Sequence, residues 1–213
     1  MPELEIEVKF FLPSPETVRE NLLALGARRE SARVFERNLR FEDDRGRPGR
    51  DGGLLRLRQD RRARLTFKGA PGKAAAGMAG EFKVFRELEV EVSDFGRARG
   101  LLEAIGFSVA QRYEKYRETF VLDGTECCLD TLPYGDFLEI EGSPESIRTV
   151  ADRLDLPWER RILANYLAMF EVIRKTFGLS FSDLAFEHFE SAPVDAAPTI
   201  RRFEAGNPPC SNS

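Results

Sequence analysis

The residues best suited to chemistry in this chain are charged side chains spaced two apart. Glu3, Glu5, Glu7 and Lys9 alternate with apolar neighbours. So do Arg56 and Arg58, then Arg62, Arg64 and Lys68, then Glu87, Glu89 and Glu91. Period two places each set on one face of a β-strand. Carboxylates so placed can share a hard, oxygen-seeking cation such as Mg2+ or Mn2+, and paired Arg or Lys side chains can clamp phosphate oxygens. The chain has one histidine, His188, and three cysteines, of which Cys127 and Cys128 are adjacent. Most chemistry built on histidine bases or histidine-ligated metals is thereby excluded. The cysteines fit neither a disulfide framework nor a zinc spacing.

On any single strand, alternating charge is most simply a solvated face. Two features argue otherwise for the set. Signs are sorted by strand, with acids on the first, fifth and last and bases on the third, fourth and sixth, whereas a solubility surface mixes signs. Amphipathic helices also follow several strands and need an apolar surface to cover. If they cover the apolar faces from outside, the charged faces point inward. Such an interior must be wet and hold ions of both signs, because an unpaired buried charge is strongly destabilising. A lumen lined by both signs suits a metal-bound polyphosphate.

The elements that must position these residues follow from periodicity. Strands are expected over residues 3–10, 30–43, 54–59, 62–68, 82–92, 112–122, 126–132 and 137–141. Helices are expected after Ser14-Pro15, after Asp94, after Ser143-Pro144, and over residues 162–177. Asp123-Gly124 reads as a hairpin turn. Residues 69–80 read as a mobile loop and residues 192–213 as a disordered tail. A repeat runs through this order. The stretch from Glu3 to Val8 is matched by Glu87 to Val92, and each precedes a helix that ends in Leu25-Gly26 or Ile105-Gly106. Leu55-Arg56-Leu57-Arg58 answers Leu138-Glu139-Ile140-Glu141, with bases in the first half where the second has acids.

At 213 residues, 42% hydrophobic and 32% charged, the chain reads as one globular domain with length to spare. A net charge of −4 gives no polybasic field for nucleic acid. No apolar run is long enough to span a bilayer, and the acidic start is unlike a signal peptide. The expectation is a reduced, cytoplasmic protein, monomeric or homodimeric, that binds neither nucleic acid nor membrane.

Glu5-Ile6-Glu7-Val8-Lys9 resembles the E-x-E-x-K signature of the CYTH superfamily, the triphosphate tunnel metalloenzymes. The resemblance gains weight from Leu55-Arg56-Leu57-Arg58, Leu65-Thr66-Phe67-Lys68-Gly69, Lys115-Tyr116-Arg117, Leu129-Asp130 and Gly135-Asp136-Phe137-Leu138-Glu139-Ile140-Glu141, all in family order. It covers about residues 3–175. It implies an α+β fold: a closed, antiparallel, eight-stranded β-tunnel with helices packed outside. The tunnel domain is expected over residues 1–180, with a short helix and tail over 181–213. Members include thiamine triphosphatases, inorganic tripolyphosphatases and class IV adenylyl cyclases. Carried over by position, Glu5, Glu7, Glu139 and Glu141 would bind Mg2+ or Mn2+, helped by Asp130 and by Glu87 or Glu89. Lys9, Arg56, Arg58, Lys68, Lys115 and Arg117 would hold the triphosphate. Arg86 joins them by alignment, although its parity is opposite to that of Glu87. Lys9, Lys68 and Arg58 carry the expected catalytic roles. The chain departs from many members at Arg40-Phe41-Glu42, where they carry Tyr-Phe-Asp, so a Tyr–Lys pair with Lys68 from these positions is not available. Hydrolysis of a small-molecule triphosphate leads the functional expectations. Cyclisation of ATP and non-catalytic binding of polyphosphate or nucleotide are the alternatives.

Overall fold

Eight segments of alternating polarity become eight antiparallel strands that close on themselves. The computed structural model describes residues 3–49, 53–78 and 80–207. The strands are β1 (Glu3–Leu12), β2 (Arg28–Asp43), β3 (Leu54–Gln59), β4 (Ala63–Gly69), β5 (Lys83–Val92), β6 (Phe107–Leu122), β7 (Thr125–Leu132) and β8 (Gly135–Glu141). Around the ring they run β1-β5-β4-β3-β2-β6-β7-β8, and β8 pairs with β1 to close it. The fold is the expected α+β closed tunnel.

Helices α1 (Pro15–Ala24) and α3 (Pro144–Arg153) lie on one side of the ring. Val18 and Leu22 of α1, with Ile147, Val150 and Ala151 of α3, bury Val8, Phe10, Leu138 and Ile140 in the largest core cluster. Truncating a side chain such as Phe10 to Ala would cost about 3–5 kcal/mol by transfer and cavity terms. Helix α2 (Phe95–Ala104) puts Leu102 on the outward faces of β2 and β3, against Leu39, Phe41 and Leu57. Apolar outer faces are thus covered, and the charged inner faces follow by parity.

The order of strands has an internal symmetry. Exchanging β1, β2, β3 and β4 with β5, β6, β7 and β8 leaves every neighbour relation intact. The repeat is therefore architectural, and its two matched strands, β1 and β5, lie side by side. One assignment changes. The counterpart of β3 in this exchange is β7, and that of β8 is β4, so Arg56 and Arg58 do not correspond to Glu139 and Glu141.

Local signals set most boundaries. Asp123 and Gly124 have φ of +50° and +82°, the two left-handed residues of a type I′ hairpin between β6 and β7. Asp94 caps α2 by accepting from the Arg97 N–H at 2.7 Å. Three expectations are corrected. Residues 69–80 contain a 3-10 helix, Lys73–Met78, with Ala75 buried and Met78 packed on the main core. The helix expected from residue 162 begins at α4 (Tyr166–Phe177), where Asn165 accepts from the Ala168 N–H, while Ile162 pairs with Lys9 in a short bridge. Residues 192–207 are not a disordered tail. After α5 (Phe186–Ser191), the segment α6 (Ala197–Arg201) buries Ala196 and Ile200 beside Phe137 and α4. The tail expectation for residues 208–213 falls outside the described residues.

Candidate functional site

The ring order sorts charge into two walls. Neighbouring strands β7, β8, β1 and β5 turn Glu126, Glu139, Glu141, Glu5, Glu7, Glu87 and Glu89 toward the lumen. Neighbouring strands β4, β3, β2 and β6 turn Arg64, Lys68, Arg56, Arg58, Arg40, Lys115 and Arg117 toward the same space. The cavity between them has a volume of about 480 Å³. Nine cationic side chains and seven carboxylates line it. Glu36 and Asp130, buried behind the lining, bring the two signs level.

Most charges in this set are paired. Lys9, only 2% exposed, binds Glu7 and lies 2.9 Å from Glu139. Lys83 donates to Glu7 at 2.6 Å. Lys68 binds Glu5 and lies 2.8 Å from Glu87. Arg58 approaches Glu89 at 3.2 Å and Glu36 at 3.6 Å. Arg56 donates to the Thr66 hydroxyl at 3.2 Å and to the Tyr113 hydroxyl at 3.5 Å. Each pairing offsets a desolvation cost that would otherwise unfold the barrel.

Proton affinities show where the balance is unfinished. Burial raises the Glu5 carboxyl to about 9, and the neighbouring Glu7 charge adds to this against the pull of Lys68. Burial also raises Glu141, to about 7, with Glu139, Glu126 and Glu7 pushing the same way. Glu7 and Glu139 go down. For Glu7, burial and Glu139 act upward but Lys83, Lys9 and Lys68 outweigh them. For Glu139, burial acts upward and is overcome by Lys9, Arg117 and Lys115. Burial lowers Lys83 to about 8, with Lys9 adding to the effect and Glu7 opposing it. Glu141 is in no ion pair among the described residues, and at Glu5 burial and the Glu7 charge outweigh Lys68.

The donor set fits a hard divalent cation. Glu5, Glu7, Glu139 and Glu141 project from adjacent strands, and at Glu5 and Glu141 burial with neighbouring negative charge outweighs the cations nearby. Among the described residues no three acidic, His or Cys side chains already form a ready-made cluster, and lysines pair with Glu5, Glu7 and Glu139.

Of the sequence-predicted site residues, Glu5, Glu7, Lys9, Arg56, Arg58, Lys68, Glu87, Glu89, Lys115, Arg117, Glu139 and Glu141 all line one cavity. Two do not. Arg86 is exposed on the outer face, in register with Leu4, because period two sends it opposite to Glu87. Asp130 is 1% exposed and does not face the cavity. Its oxygens accept from Lys115 at 2.9 Å, from Arg117 at 2.6 and 2.7 Å, and from the Tyr166 hydroxyl at 2.9 Å. It orients two cations and the first residue of α4. Residues that sequence reasoning missed include Lys83, Glu126 and Tyr166. Parity would have found the first two, since Lys83 lies four before Glu87 and Glu126 four before Asp130. Tyr166 carried no signal. Its ring sits 5.1 Å from the Lys9 ammonium and 5.4 Å from that of Lys115, where the start of α4 meets the lumen.

Comparison with known proteins bears on this geometry. The curated proteins include no match to the chain. Among solved structures, it is similar to PH1012 from Pyrococcus horikoshii OT3, with 30% identity, a TM-score of 0.62, and 76% of this chain and 96% of that one covered. An adenylate cyclase candidate from Vibrio parahaemolyticus shares the fold at 17% identity and a TM-score of 0.69, covering 80% of this chain and 99% of that one. HpAC1 from Hippeastrum, an adenylyl cyclase candidate described as revealing a dominant triphosphatase activity, shares the fold at 20% identity and a TM-score of 0.54, covering 78% and 95%. The CYTH domain model matches residues 3–162, spanning every strand of the ring. The chain belongs to the CYTH domain family.

Proposed function

We propose that the chain hydrolyses a triphosphate, inorganic or esterified, held in the lumen with Mg2+ or Mn2+. The observation that supports this is the acidic wall facing a basic wall across one cavity, with signs that nearly cancel. A bare triphosphate would load such a space with uncompensated negative charge. A triphosphate accompanied by divalent cations would not.

Arg56, Arg58, Lys68, Lys115 and Arg117 would hold the phosphate oxygens from the basic wall, with Lys9 reaching from the other side. Arg58 and Lys68 would stabilise charge on the transferring phosphoryl group. Glu5, Glu7, Glu139 and Glu141 would hold the metal, which supplies charge neutralisation and an activated water for in-line attack. Asp130 accepts from both Lys115 and Arg117, which line the cavity. The fold family includes cyclases as well as triphosphatases, and the lumen groups named here are suited to phosphate and metal rather than to a base edge.

The test is product analysis with tripolyphosphate, thiamine triphosphate and ATP at equal concentration, with Mg2+ or Mn2+. Phosphate release that stops in excess chelator is the expected result. Cyclic AMP forming faster than phosphate leaves any triphosphate would replace this reading with the cyclase. Tight binding with no product would leave a binding module.

A further inference from the structure

Lys83 has no part in the roles assigned above, yet it stands in the middle of the site. It opens β5 with its Cα in register with Glu7, and its ammonium donates to that carboxylate at 2.6 Å. The same ammonium lies 4.8 Å from the centre of the Phe85 ring. Glu7 therefore sits between two lysines, and the two are not equivalent. Lys9 is sealed at 2% exposure and spans Glu7 and Glu139, so moving it would break two ion pairs at once. Lys83 faces the cavity, with its side chain 15% exposed, and among the described residues its ion-pair partner is Glu7 alone.

We propose that Lys83 is a mobile substrate-binding residue. It serves as counter-ion to Glu7 while that carboxylate is free of metal. It transfers its ammonium to a phosphate oxygen once Glu7 is given over to a divalent cation. The proposal rests on the triphosphate reading of the cavity. The exchange trades one charge-assisted hydrogen bond for another, so it is close to balanced in energy. A lysine suits it, being a compact point charge on a flexible four-carbon stem. Phe85 gives the ammonium an aromatic face to rest against during the move. The consequence is competition. In the absence of phosphate, Lys83 holds the position that metal needs. In its presence, the same charge supports the substrate.

The test uses the full chain and reads binding. Mn2+ is titrated without phosphate and followed by electron paramagnetic resonance, for wild type and Lys83→Gln. Tripolyphosphate affinity is then measured with Mn2+ in excess. In the variant, Mn2+ binding without phosphate should tighten by about tenfold, and tripolyphosphate binding should weaken by about tenfold, the size of one lost charged contact. A residue with only a structural role would shift both in the same direction. Lys83→Arg keeps the charge, and its Mn2+ affinity should stay within about threefold of wild type. It also carries the test if the Gln variant does not fold. Unchanged or weaker Mn2+ binding in Lys83→Gln, or a tenfold tightening in Lys83→Arg, would overturn the proposal. If wild type binds no tripolyphosphate even with Mn2+, the triphosphate reading falls and this inference with it. If wild type binds and Lys83→Gln does not shift, this inference alone falls.

Discussion

Arg58 shows what a single lumen residue contributes. It reaches Glu89 on the acidic wall and Glu36 on its own, and it faces the cavity. Arg58→Ala is expected to weaken inorganic and organic triphosphates by a similar factor, about 1.5–3 kcal/mol for one charge-assisted contact. Affinities for tripolyphosphate and ATP, measured side by side, check this. A loss confined to one ligand would mean that Arg58 reads the attached group and not the chain of phosphates. The carboxyls make a second prediction, about pH. Glu5 and Glu141 are raised from 4.5 to about 9 and about 7. The folded state therefore binds their protons more tightly than the unfolded state does. Their stabilising contribution is complete below pH 4.5 and is lost as pH rises through those values. In chelator, the melting temperature should fall between pH 5 and 8, and Mg2+ should restore part of it. A rise over that window in chelator would contradict the sign. Legibility at this scale followed parity. Most charges two apart on a strand line the cavity, whereas Arg62 and Glu91 at the strand ends are exposed, and Arg86, taken from an alignment against its parity, lies outside. Glu36 and Tyr166 escaped because their importance lies in contacts with strands distant in sequence.

At the scale of elements, the caps differ in a way that can be measured. Asp94 bonds the Arg97 N–H and holds the start of α2. Ser14 sits at the start of α1, but its hydroxyl makes no cap bond and touches Thr17 and Glu16 side chains instead. Asp94→Ala should cost about 0.5–2 kcal/mol, and Ser14→Ala markedly less. Urea unfolding of both variants decides it, and equal losses would show that the Ser14 cap forms in solution. The strand and helix starts were legible wherever a local signal set them: Pro after Ser at α1 and α3, Asp-Gly between β6 and β7. They were illegible where pairing with a distant partner sets them. Strand β6 begins at Phe107, ahead of its strongest alternation, because Asp43 at the end of β2 is there to pair with it. The segment 192–207 looks unstructured by composition, yet Ala196 and Ile200 find an apolar site that only the assembled barrel provides.

At the scale of the molecule, closure gives every strand of the ring a hydrogen-bonded neighbour on each side. It also orders events in time. β1 is made before its neighbours β5 and β8, and Glu7 pairs with Lys83 and Glu141, so the strand lacks both partners until β8 has been made. Until then a segment with a lysine and several glutamates on one side, and Val8 and Phe10 on the other, has no partner for either face. Such non-local pairing places folding in the millisecond-to-second range. A truncated chain of residues 1–132, lacking β8, should fail to bind tripolyphosphate, and refolding of the full chain should regain binding together with near-ultraviolet circular dichroism in one slow phase. Binding by the truncated chain would show that β1 docks without closure. During synthesis β1 therefore waits for both its neighbours, and the carboxylates proposed to grip metal are among the last to be brought together.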